Sequence, residues 1–152
     1  MRLRVIAIGR QARGPEAELF DRYAARLRPR PELVALADGR GDPAEIKRRE
    51  AEAILARAGG DLLVALDQGG AMPDSEGFAR HLARLRGAGR DIAFAIGGAE
   101  GLDRAVIARA DLVLSLGALT FPHLLVRAML AEQLYRAQSI LDGHPYHRAG
   151  RP

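Results

Sequence analysis

The feature that most limits what this chain can fold into is an alternation, from end to end, of short apolar runs with longer amphipathic ones. Residues 3–8, 32–36, 61–66, 91–96 and 112–116 are strand-length and dominated by Val, Ile, Leu, Ala and Phe. Between them the spacing predicts helices over 15–27, 43–58, 75–86, 103–109 and 121–141. Leu19, Tyr23 and Leu27 repeat every four residues on the first. Asp74 stands where an N-cap belongs, and Gly59-Gly60 and Gly87 stand where helices stop. Strands that are apolar at successive positions must be covered on both faces. The pattern therefore predicts an α/β protein, a mostly parallel sheet with helices on both faces. With 152 residues, no repeat and no linker, it reads as a single domain over 1–152.

Composition then removes whole classes of chemistry. The chain has no cysteine, which excludes disulfides, thiolate metal sites and cysteine nucleophiles. The apolar N-terminal run is too short for a signal peptide, and no stretch reaches the ~18 apolar residues of a membrane span. A cytoplasmic protein with no membrane partner is expected. The formal net charge is +4, carried almost wholly by arginine, with Lys47 the only lysine. Arginine's forked donors suit phosphate, although an arginine- and alanine-rich composition also reflects genomic base content.

In parallel sheets ligands sit beyond the carboxyl ends of the strands, so the segments after Ile8, Leu66, Ile96 and Leu116 matter most. Gly9-Arg10-Gln11-Ala12-Arg13-Gly14 has the glycine spacing of a phosphate loop. Pro15 and Glu16, however, occupy the places of the required Lys and Ser/Thr, which excludes a nucleotide triphosphatase. Arg10 and Arg13 remain candidate contacts to an RNA backbone. No dinucleotide fingerprint and no nucleophile elbow occur. His144 and His147 lack companion ligands, so no metal is expected. Three glycine-containing segments, 66–70, 97–102 and 116–121, could hold an adenosine-like ligand with backbone amides and apolar walls, or could be plain loop punctuation. On the last helix Thr120 is a candidate cap, Pro122 fits the first turn, and Glu132 and Arg136 are spaced for a solvated ion pair. The tail His144-Pro145-Tyr146-His147-Arg148 either frays or supplies base-stacking and phosphate-binding groups.

The run Ile96-Gly97-Gly98-Ala99-Glu100-Gly101-Leu102, followed by Leu114-Ser115, Thr120-Phe121-Pro122-His123, Arg127, Glu132-Gln133, Tyr135-Arg136-Ala137 and Tyr146-His147-Arg148, resembles one known family in order and spacing. It is that of the bacterial large-subunit (23S) ribosomal RNA pseudouridine N3-methyltransferases, within the SPOUT class. The resemblance spans the chain. It implies a C-terminal trefoil knot, where pattern alone suggests an ordinary doubly wound sheet, and a homodimer with the last helix in its interface. It implies S-adenosylmethionine as cofactor, held by Leu66, Gly97 and the run Leu116, Gly117, Ala118, Leu119, Thr120 and Phe121. The ribosome is the implied partner. The family often has a lysine after the glycine following Leu66, where this chain has Ala71, and residues 149–152 run past the usual end.

On that reading His147 is the candidate base for the N3 proton, Arg136 and Arg148 candidate anion stabilisers, and Tyr146 a stacking or orienting group; Arg148 is also a candidate RNA contact. His123 competes with His147 but is expected to be structural at a helix start. Two rivals remain at this stage: a SPOUT methyltransferase acting on transfer RNA, and a non-catalytic ribosome-binding protein.

Overall fold

A computed structural model describes residues 1–148; the C-terminal extension Ala149-Gly150-Arg151-Pro152 lies outside the described residues. Strands β1 (Leu3–Ile8), β2 (Glu32–Leu36), β3 (Leu62–Ala71), β4 (Ile92–Ile96) and β5 (Leu112–Leu114) form one sheet in the order β2-β1-β4-β3-β5. All the pairings are parallel. They alternate with helices α1 (Pro15–Ala24), α2 (Pro43–Ala58), α3 (Ser75–Gly87), α4 (Arg104–Arg109) and α5 (His123–Leu141).

Both sheet faces are buried, as the apolar runs require. Side chains alternate along a strand, so β1 sends Val5 and Ala7 to one core and Ile6 and Ile8 to the other. The first core is filled by Phe20 of α1, Phe78 of α3 and Leu130 and Leu134 of α5. Ile54 of α2 and Val106 of α4 fill the second. Helices α2, α3 and α4 are started by Asp42, Asp74 and Asp103, whose carboxylates accept backbone N–H groups at 2.9, 2.7 and 2.9 Å, each contributing about 1 kcal/mol.

Four boundaries differ from the sequence reading by two residues or more, each for a local reason. Helix α1 stops at Ala24 and the chain turns, yet Leu27 still reaches the core. Residues 66–70, expected as a loop, belong to β3. Leu66 and Ala71 both pair with Leu114, and the residues between them bulge. Gly70 makes this possible, since a Cβ there would stand 2.6 Å from the carbonyl carbon and oxygen of Val113. Strand β5 therefore ends at Leu114, short of 116. Helix α5 begins at His123, not 121, with Pro122 in the cap position and no side-chain cap. The Thr120 hydroxyl instead accepts from Gln68 Nε2 at 3.4 Å.

Helix α5 lies over the sheet between α1 and α3, burying Ala128, Leu130, Ala131, Leu134, Tyr135 and Ala137.

Candidate active site

The carboxyl ends of β3, β4 and β5 and the first turn of α5 enclose a cavity of about 390 Å³, within the range of small-molecule sites. Leu66, Leu102, Leu116, Leu119, Phe121 and Val126 give it apolar walls, and residues 97–101 with Gly117 and Thr120 complete it. The segment after β4 folds back on itself, Gly101 N–H donating to Gly98 O at 3.0 Å. A Cβ at Gly97 would lie 2.8 Å from the Gly101 carbonyl carbon, so only glycine lets the two sides of the loop approach. The segment after β5 turns at Gly117, whose φ is 123° and whose N–H donates to Ser115 Oγ at 3.0 Å.

Seven of the eight positions singled out for a cofactor (Leu66, Gly97, Leu116, Gly117, Leu119, Thr120 and Phe121) wall this cavity. Ala118, the eighth, is exposed and forms no part of the wall. His123, expected to be structural, is on the wall. Behind the loop, Glu50 is buried and accepts the Gly39 N–H at 2.9 Å through Oε2, while its Oε1 has no partner.

A second cluster lies farther along α5. Arg136 is ion-paired to Glu132 at 2.5 Å, in a half-buried rather than fully solvated setting, and reaches His147 Nδ1 at 3.2 Å. The Tyr146 hydroxyl donates to Glu132 Oε1 at 3.1 Å and lies 3.3 Å from the Tyr23 hydroxyl. Its ring meets Tyr135 edge-on at 4.7 Å, with the Arg136 guanidinium 4.9 Å from its centre. Burial, then the bond to Tyr23 and the charge of Glu132, push the Tyr146 hydroxyl well above its ordinary value. It therefore stays a donor. Tyr146 and His147 are half-buried against α5, not frayed, and Arg148 is exposed.

The loop after β1 exposes Arg10 and Arg13. It is tied to α5 by Arg127, a buried guanidinium that donates to the carbonyls of Ile8 and Gly9, each at 3.1 Å, and of Arg10 at 3.3 Å.

A family model described as "Predicted SPOUT methyltransferase" matches residues 1–147. The chain belongs to the SPOUT methyltransferase family. This SPOUT protein is 70% identical to "Ribosomal RNA large subunit methyltransferase H" of Acidiphilium cryptum (strain JF-5), over 99% of this chain and 96% of that one. The protein of the same name from Gluconacetobacter diazotrophicus is 58% identical over 99% of both chains. Two solved structures share the fold. One is a probable methylase family protein from Haemophilus influenzae Rd KW20, with TM-score 0.56 and 10% identity over 99% of this chain and 72% of that one. The other is the tRNA (m1G37) methyltransferase from Aquifex aeolicus, with TM-score 0.52 and 16% identity over 100% and 77%.

Sequence reasoning missed three residues of these two clusters: Glu50, Tyr23 and Arg26. Tyr23 reads as one more apolar position on α1. Arg26 sits 4.2 Å from the Tyr135 ring centre, and its Nη2 donates to the Tyr135 hydroxyl at 2.7 Å. That contact joins residues 109 apart, and no local pattern announces it.

Proposed function

We propose that this SPOUT protein binds S-adenosylmethionine in the cavity at the ends of β3, β4 and β5 and methylates N3 of a pseudouridine in large-subunit ribosomal RNA. The observation that carries the reading is the cavity itself, apolar walls around loops that only glycine at 97 allows to close. The names of the relatives, 70% and 58% identical over nearly the whole chain, support the ribosomal substrate. The assembled ribosome is then the partner, the compartment the cytoplasm, and residues 1–152 act as one domain, with the chain after β5 passing through the knot of the SPOUT class.

When bound, the cofactor supplies a sulfonium methyl group that needs no acid to activate it. What the chain must add is alignment and exclusion of water. Leu66, Gly97, Leu116, Gly117, Leu119, Thr120 and Phe121 would hold the adenosine by shape. The nucleophile is an imide nitrogen that must lose a proton, so stabilising its anion lowers the barrier. Arg136, fixed by Glu132, presents positive charge there. Arginine only donates, so His147 Nδ1 is an acceptor in their contact, and a neutral ring then carries its hydrogen on Nε2. His147, expected as the base, is on this arrangement a donor to a uracil carbonyl instead, because its Nδ1 is engaged by Arg136; Tyr146 orients the ring, and solvent takes the proton.

His123 on the cavity wall and Arg136 are thirteen residues apart on α5, about 20 Å of helix. Within one chain a neighbouring pocket does link Tyr23 and Glu132 of the tail cluster to Leu116 and Gly117 of the cavity. The family resemblance implies a two-fold homodimer as the working unit, and on that reading each protomer offers its tail to its partner's cavity. Mixing Gly97→Ala with His147→Ala tests this. Heterodimers hold one complete site, and about a quarter of wild-type activity should return from two inactive variants; no recovery would place both clusters in one protomer.

The substrate is tested with labelled S-adenosylmethionine on ribosomes lacking the modification, beside free ribosomal RNA and transfer RNA. Label on pseudouridine in ribosomes alone is expected. Label on transfer RNA alone would overturn the substrate, and none anywhere would leave a binding role.

A further inference from the structure

From the Tyr146 cluster a row of arginines continues away from the cavity. Arg26 lies 6.0 Å from the centre of the Tyr146 ring. The carbonyl of Arg26 and the N–H of Arg28 are bridged by the side chain of Gln138, at 3.2 and 2.9 Å. Arg86, from the last turn of α3, donates to the Arg28 carbonyl at 3.4 Å. The ends of α1 and α3 are thereby joined across α5 into one cationic strip that begins at the proposed catalytic tail.

Each of the three guanidiniums is anchored through one nitrogen only. Arg26 uses Nη2 on Tyr135, Arg28 uses Nη1 on the carbonyls of Ala25 and Leu27 at 2.9 and 2.8 Å, and Arg86 uses Nη2 on Arg28. Their other nitrogens have no partner among the described residues. None of the three is within 4.0 Å of a carboxylate; exposed Arg22, Arg57 and Arg104 are likewise without an ion pair among the described residues, and what sets these three apart is the hydrogen bonding that joins them into one row. Asp142 is the acid that acts on Arg86, from beyond contact distance. A guanidinium fixed at one corner and free at the others loses little freedom when it meets a phosphate.

We propose that Arg26, Arg28 and Arg86 form a phosphate-binding track for the RNA strand that leads into the active site. The proposal rests on the ribosomal RNA reading above. Aromatic rings at one end to stack a base and arginines beyond it to follow the backbone are the parts single-stranded RNA requires.

The test is Arg28→Gln/Arg86→Gln, assayed as the full-length protein on unmodified ribosomes. The expected result is a KM for ribosomes raised several-fold, with kcat at saturation and affinity for S-adenosylmethionine unchanged. The slope of log affinity against log salt should shrink by about two, one for each lost phosphate contact. Arg28→Lys/Arg86→Lys keeps the charge and should recover most of the affinity. It also serves if the glutamine variant folds poorly. Arg48→Gln/Arg49→Gln on α2 should change neither quantity. Wild-type KM and salt slope in a folded Arg28→Gln/Arg86→Gln protein would overturn the track, whereas failure of the wild type to methylate ribosomes would overturn the substrate reading instead.

Discussion

At Gly97 a single methyl group would stand 2.8 Å from the Gly101 carbonyl carbon and 3.0 Å from its oxygen, and the backbone has nowhere to retreat. Gly97→Ala should therefore fold but lose the rise in melting temperature that S-adenosylmethionine gives the wild type. Gly60→Ala, with nothing within 4 Å of the added carbon, should keep it; a shift retained in Gly97→Ala would move the cofactor elsewhere. Tyr146→Phe keeps the edge contact with Tyr135 and removes only the hydroxyl between Glu132 and Tyr23. Its stability should fall by about 1 kcal/mol, read by urea denaturation, and its single-turnover rate should drop more than its ribosome affinity. At this scale the sequence was informative where backbone freedom or family spacing mattered, hence Gly97 and Tyr146. It was silent on Glu50 and Arg26, whose partners lie far along the chain.

Among elements, the sheet and the helices were readable because apolar runs and stops are local signals, and Asp74 marked one cap, whereas the caps Asp42 and Asp103 went unread. So did the extension of β3. Asp67-Gln68-Gly69-Gly70 has the composition of a loop, and a bulged strand uses the same residues to let a neighbour approach. Gly70→Ala should push Val113 away and uncouple β5 from β3, lowering the melting temperature and opening the cavity together. The edge where β1 and β4 begin carries a different prediction. Asp91 accepts the Arg2 backbone N–H at 2.7 Å and its Nε at 3.2 Å. Chiefly that backbone bond holds its carboxyl below the ordinary value. A depressed folded value means the contribution is present above about pH 3.9 and lost as pH falls through the folded value. Asp91→Asn should accordingly lose less stability than the wild type on acidification below about pH 4, in denaturation curves taken at successive pH values.

For the molecule as a whole, a parallel sheet between two cores follows from an alternation visible in the chain, while the strand order and the placing of the tail cluster along α5 are displayed only by the folded state. Contacts of very high sequence separation hold that helix in place. Gln138 meets Arg26 across 112 residues, and Tyr146 meets Tyr23 across 123. Closing loops of that length comes late in folding. During synthesis the face formed by Phe20, Phe78 and Phe94 has no cover until α5 has emerged. A chain interrupted before that helix would present a sticky, uncovered layer and a half-built pocket. Truncated products should aggregate or be degraded rather than persist as partial enzymes, so the last quarter of the chain acts as the checkpoint for whether the first three quarters survive.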